Sequence, residues 1–179
     1  PMRARFGIQH HLEFWSVKHL IECIRRSAGM LNVACDVDAF EVIAKCSRGT
    51  PRIANRLFRR VRDYSQVHGN GRVTLSSAAE ALRIEEIDAN GLDNLDRAYL
   101  RTIITTYSGG PAGIEAIAAT LGEERDTLED MVEPFLLQQG YVARTRQGRI
   151  ATEAAYRHLD LKPVPRAAAG DVSEELLFD

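Results

Sequence analysis

Between residues 48 and 64 the chain reads RGTPRIANRLFRRVRDY, six arginines in seventeen residues. Thr50 suits a helix N-cap and Pro51 a first helical position, so the pattern predicts a helix with Arg52 in its opening turn. A helix N-terminus carries partial positive charge and unpaired N–H groups, which favour anions over cations. An arginine there gains when an anion binds between guanidinium and backbone, because both then donate to it. Arg56 and Arg60 follow at one-turn intervals, while Ile53, Ala54, Leu57, Phe58 and Val61 form a core-facing stripe. The chemistry suggested is phosphate recognition by Arg52. A solvated basic face is the plainer alternative.

A second cluster lies near the C-terminus. YVART and GRIAT flank Arg146-Gln147-Gly148, which predicts a short β-hairpin with glycine at the turn. Arg144, Arg146 and Arg149 on such a hairpin, in an otherwise acidic region, suit contacts to phosphates. The preceding helix, ERDTLEDMVEP, is acidic and a poor groove reader, so contact with a nucleic-acid backbone is expected without sequence readout. An exposed, salt-bridged turn is the alternative. The five histidines (His10, His11, His19, His68, His158) form no triad or ligand pattern, and no metal site is expected. Cys23, Cys35 and Cys46 are odd in number, lack ligand spacing and fall at plausible helix positions, so buried reduced thiols are expected.

Helices must position these groups. Ser16 opens an amphipathic helix with Val17, Leu20, Ile21, Ile24 and Ala28 on one face; Asp36 or Asp38 opens a second; the arginine helix is third; Thr74 or Ser76 starts a fourth through Leu82. IDANG (Ile87–Gly91) reads as a linker. DNLDRAYLRTIITTY follows, with Leu95, Tyr99, Leu100, Ile103 and Ile104 inward, ended by GGP. GIEAIAATLG, ERDTLEDMVEPFLLQQG, the hairpin and TEAAYRHL complete the order of a winged-helix domain, three helices and a wing.

Net charge is −2, yet residues 1–73 carry +7 and residues 74–179 carry −9, so the first module faces anions. No apolar run of 18 residues occurs in the sequence and the reading PMRARFG shows no signal-peptide pattern, so a cytoplasmic location is expected.

PMRARFGIQHHLEFW, SRGTPRIANRLFRRVRDY and GGPAGIEAIAATLGEERDTLEDMVEPFLLQQGYVARTRQGRIAT occur in an order and spacing similar to the RuvB family, bacterial AAA+ motors of Holliday-junction branch migration. The resemblance extends over roughly residues 1–160. It implies a mainly α fold: residues 1–14 as the end of a large ATPase domain, 15–86 as a helical AAA+ lid, 87–160 as a winged-helix DNA-binding head, and 161–179 as a flexible tail. It implies roles too. Arg52 matches a sensor arginine reaching the phosphates of ATP in the same subunit. Arg5, in RARFG, matches the arginine finger acting catalytically in the neighbouring subunit's site. Trp15 stands where the family usually has a tyrosine against the nucleotide, keeping a flat face without the hydroxyl. Arg144 and Arg149 match DNA-contacting arginines, with Arg146 between them.

The implied partners are duplex DNA and Holliday junctions, further copies in a homo-hexamer, and RuvA and RuvC, in recombination, repair and the SOS response. Neither G-x-x-x-x-G-K-[ST] nor an acidic Walker B strand occurs in the chain. It is therefore expected to be the C-terminal part, inactive alone as an ATPase and binding no cofactor by itself. ATP/ADP and Mg²⁺, like RuvA, would be held through the large domain. A non-enzymatic winged-helix regulator with a helical dimerisation region is the competing expectation, and an acidic adaptor a third.

Overall fold

The computed structural model describes residues 13–163, which fall into two compact units, the chain passing from one to the other between Asn94 and Leu95. Arg5 and most of the expected tail, from residue 164, lie outside the described residues.

The first unit holds α1 (Val17–Met30), α2 (Val37–Lys45), α3 (Pro51–His68) and α4 (Leu75–Ile84). Local sequence sets their starts. Ser16 Oγ accepts from the His19 N–H, and Thr74 forms a reciprocal capping box with Ser77. Asp36 stands at the N-cap of α2 but its carboxylate accepts from Arg72 Nε at 2.9 Å instead of capping. Apolar residues at helical spacing then meet in one core: Leu20 and Ile24 of α1, Phe40 and Ile43 of α2, Leu57, Phe58 and Val61 of α3, Leu82 of α4. Each of the larger ones adds about 1.5–3 kcal/mol on burial.

Two expectations need correcting. Val17 is exposed, whereas Leu20, Ile24 and Ala28 of the same helix are buried. Cys35 is in no helix: it forms a one-residue parallel bridge with Val73, whose N–H donates to Ala34 O at 2.9 Å. All three thiols are free, but only Cys46 is buried.

The second unit runs α5 (Asn94–Arg101), a π-helical turn (Thr102–Thr106), α6 (Ile114–Leu121), the short α7 (Arg125–Thr127), a second π-helical turn (Leu128–Val132), α8 (Glu133–Gln138), β1 (Val142–Thr145), β2 (Gly148–Ala151) and α9 (Glu153–His158). Pro134 has no N–H to give the Asp130 carbonyl, which accounts for the irregular turn just before α8. Tyr99, Leu100, Ile103, Ile117, Leu128, Leu136 and Ala155 form the core; Leu95, expected inward, is half-buried.

The hairpin is antiparallel, with Arg144 opposite Arg149 and Thr145 opposite Gly148. Its second strand runs along the GGP segment and the residue after it. Ala112 N–H donates to Arg149 O at 2.9 Å, and Arg149 N–H donates back to Ala112 O at 2.8 Å. This approach requires glycine at Gly148 (φ +140), where a Cβ would lie 2.5 Å from Ala112 O.

Candidate phosphate-facing sites

In the first unit, one turn organises the candidate residues. The Trp15 N–H donates to Gly49 O at 2.8 Å. Gly49 (φ +67) lets Phe14 pack directly on the turn, since a Cβ there would sit 2.7 Å from Phe14 Cβ. This seats the segment entering α1 against the residues entering α3. Trp15 itself is 48% exposed, so it is not the core residue an aromatic beside Phe14 suggests. Its ring stands edge-on to His19 at 6.2 Å, and with Glu13, Phe14, Ser16, Glu22, Cys23 and Arg26 it lines an open groove of about 820 Å³.

Arg52 is exposed at the second position of α3. Thr50 holds the N-cap position, but its hydroxyl donates to Ser47 O at 3.1 Å and makes no bond to the helix amides. Nor does the first turn contain an acidic residue. The opening N–H groups of α3 and the Arg52 guanidinium are therefore left for an anion, the arrangement that phosphate binding uses.

The six arginines separate by what they touch. Arg48, in a left-handed conformation (φ 51), turns away, donating through Nε to Gly91 O at 3.0 Å and through Nη2 to Asp93 Oδ2 at 2.7 Å. Arg60 lies 3.5 Å from Glu85, and Arg62 pairs with Asp63. Among the described residues, Arg52, Arg56 and Arg59 have no acidic partner. The role of Arg48, which its sequence context left open, is to tie the 88–93 segment onto this turn.

In the second unit the hairpin differs from three outward cations. Arg144 and Arg149 both grip Glu133, a carboxylate with 0% exposure. Arg144 Nε donates to Oε2 at 2.9 Å, with Nη2 also on Oε2; Arg149 Nε donates to Oε1 at 2.7 Å. The Tyr99 hydroxyl donates to Oε1 at 2.5 Å. Arg149 Nη2 reaches Glu129 at 2.8 Å, and Glu129 also accepts from Arg125. Burial pushes the Glu133 carboxyl up, but hydrogen bonds from Arg149, Tyr99 and Arg144 outweigh it and hold it below the usual carboxylate range. Burial, then the bond to Glu133, raises the Tyr99 phenol.

For Arg144 and Arg149 the salt-bridged description therefore applies, though unequally. Arg149 is 15% exposed, whereas Arg144 keeps half its side chain in solvent. Arg146, at the tip, is exposed and has no ion pair among the described residues. In the sequence Glu133 reads only as part of an acidic helix. Its signal was position: it sits between Val132 and Phe135 on the buried stripe of its own segment.

Comparison with known proteins agrees with this architecture. Residues 15–88 match the RuvB AAA lid domain and residues 89–160 the RuvB C-terminal winged helix domain. The Holliday junction branch migration complex subunit RuvB of Streptomyces avermitilis is 50% identical over 176 residues, 98% of this chain and 49% of that protein. The Thermotoga maritima RuvB Holliday junction branch migration motor superposes with a TM-score of 0.86 at 49% identity, over 90% of this chain and 54% of its own. A point variant of that protein matches equally. The chain thus spans about half the length of the relatives it matches.

Proposed function

Because the chain belongs to the RuvB family, we propose that it supplies the nucleotide-sensing lid and the DNA-contacting head of a Holliday-junction branch-migration motor. The observation that carries this is the uncapped start of α3 with Arg52 beside it, inside a segment that matches the RuvB lid. A regulator with a helical dimerisation region has no use for that arrangement.

ATP would provide the energy for translocation, with Mg²⁺ and most phosphate contacts held by a large domain. On this chain, Arg52 and the opening amides of α3 would hold phosphate oxygens, and the exposed Trp15 face would lie against the base or sugar. Arg5, outside the described residues, would complete a neighbouring subunit's site in trans, which requires a ring of copies, a hexamer in this reading. Arg144, Arg146 and Arg149 would meet duplex phosphates independently of sequence, as a motor moving along any DNA requires. Further proposed partners are RuvA, through the large domain, and RuvC, and the proposed setting is cytoplasmic recombination, repair and the SOS response.

Joined in frame to the large domain of a RuvB protein, the chain should support ATP-dependent migration of a synthetic four-way junction. Arg52→Ala should abolish migration while ring assembly persists. Full migration by that variant would refute the sensor role.

A further inference from the structure

We propose that Glu133 is the positioning residue of the wing: it strengthens DNA binding by holding Arg144 and Arg149 in place, despite its negative charge. The inference rests on the reading of the wing as a phosphate contact. A carboxylate at a DNA-binding surface should by Coulomb's law weaken binding. The geometry argues the opposite here.

Arg144 and Arg149 are direct cross-strand partners, and like charges so placed push apart. Glu133 lies between them and accepts from both Nε–H groups through separate oxygens, Oε2 for Arg144 and Oε1 for Arg149. The carboxylate is itself anchored, by the Tyr99 hydroxyl from α5 and by its place at the start of α8. A guanidinium held through Nε and one terminal nitrogen has a fixed plane, and for Arg144 half of the side chain remains solvent-facing. The free edge is thus presented ready-ordered to a phosphate, so binding does not have to immobilise a long side chain. Arg149, more buried and shared with Glu129, braces the second strand.

Charge removal and loss of order predict opposite signs. If Glu133 only neutralises, Glu133→Gln should bind duplex DNA more tightly, with a steeper dependence on salt. If it positions, Glu133→Gln should bind about tenfold more weakly, the order expected for losing one charge-assisted hydrogen bond. Its salt slope should then fall by about one phosphate contact. The experiment is fluorescence anisotropy of the 179-residue chain with a labelled duplex across a salt series, for the parent, Glu133→Gln, Arg144→Ala and the double variant. Positioning further predicts non-additivity, the double variant binding about as weakly as Arg144→Ala.

Weakened binding with a reduced slope supports the proposal, whereas equal or tighter binding by Glu133→Gln overturns it. If Arg144→Ala binds as the parent does, the wing reading itself falls and the proposal with it. Should Glu133→Gln fail to fold, the unmodified chain still decides. Its Arg144 and Arg149 Nε–H resonances should exchange slowly with water and that of Arg146 rapidly; equal exchange for Arg144 and Arg146 overturns the proposal.

Discussion

The Trp15 backbone N–H donates to the Gly49 carbonyl, 2.8 Å away, three residues before Arg52. One hydrogen bond thereby ties the entry of α1 to the entry of α3, and the half-exposed indole to the turn that leads to the uncapped helix start.

That junction depends on Gly49. Gly49→Ala introduces a Cβ 2.7 Å from Phe14 at φ +67, whereas Gly71→Ala at φ +81 meets nothing within 4 Å. Both should pay the backbone strain, about 1–3 kcal/mol. Gly49→Ala should lose clearly more and should also shift Trp15 fluorescence in the folded state. Urea titrations of the two variants side by side measure the difference.

Arg52 is a cation where a helix disfavours one, and it has no acidic partner among the described residues. Arg52→Ala should therefore leave stability unchanged or raise it by about 0.3–1 kcal/mol at low ionic strength, less at high salt. A fall of more than about 1 kcal/mol in chemical denaturation would show a structural role instead.

Acid should loosen the second unit through Glu133. Its folded pKa lies below the usual 4.5, so its stabilising effect is complete above that value and is lost as pH falls through the depressed one. Hydrogen exchange at α8 and β1 should accelerate below about pH 4.5 in the parent. In Glu133→Gln the unit should be weaker at neutral pH, and this part of the acid response should be missing.

Thiol reactivity should rank the cysteines. Burial and then Asp88 push the Cys46 thiol up to about 11; burial and then Asp36 do the same for Cys35. Cys23 lines the open groove. At pH 8, a disulfide reagent followed by mass spectrometry should modify Cys23 first and Cys35 more slowly. Cys46 should react only with unfolding of the first unit.

Arg48→Ala removes a fork spanning Gly91 O and Asp93. A loss of about 1–3 kcal/mol in the first unit is expected, with faster amide exchange around residues 88–93. Lysine at this position should restore little, having a point charge where two directed donors are needed.

The helices were legible because their signals are local. Ser16, Asp36, Thr50 and Thr74 stand at the N-caps, and the stripe from Ala54 to Val61 is buried. The hairpin was legible for the same reason, with Arg146 and Gln147 between strands of the expected residues. What escaped depends on which partner a side chain finds once the chain is folded. Thr50 looked like a cap by type, yet its hydroxyl bonds Ser47 O, leaving the amides open. Glu133 looked like surface charge, and only packing reveals the two guanidinium groups and the phenol converging on it. Arg48 had no role in the sequence because its partners lie more than forty residues away.

The attachment of the wing has a mechanical consequence. Ala112 clasps the Arg149 backbone on one side while Glu133 clasps its side chain from another, so β2 is clamped at Arg149 in two directions. Beyond that point only Gly148 and the Arg146–Gln147 turn remain. Stiffness should therefore drop over the one or two residues that separate Arg149 from the tip. A braced strand and a freer turn leave Arg146 able to reorient while Arg149 stays fixed.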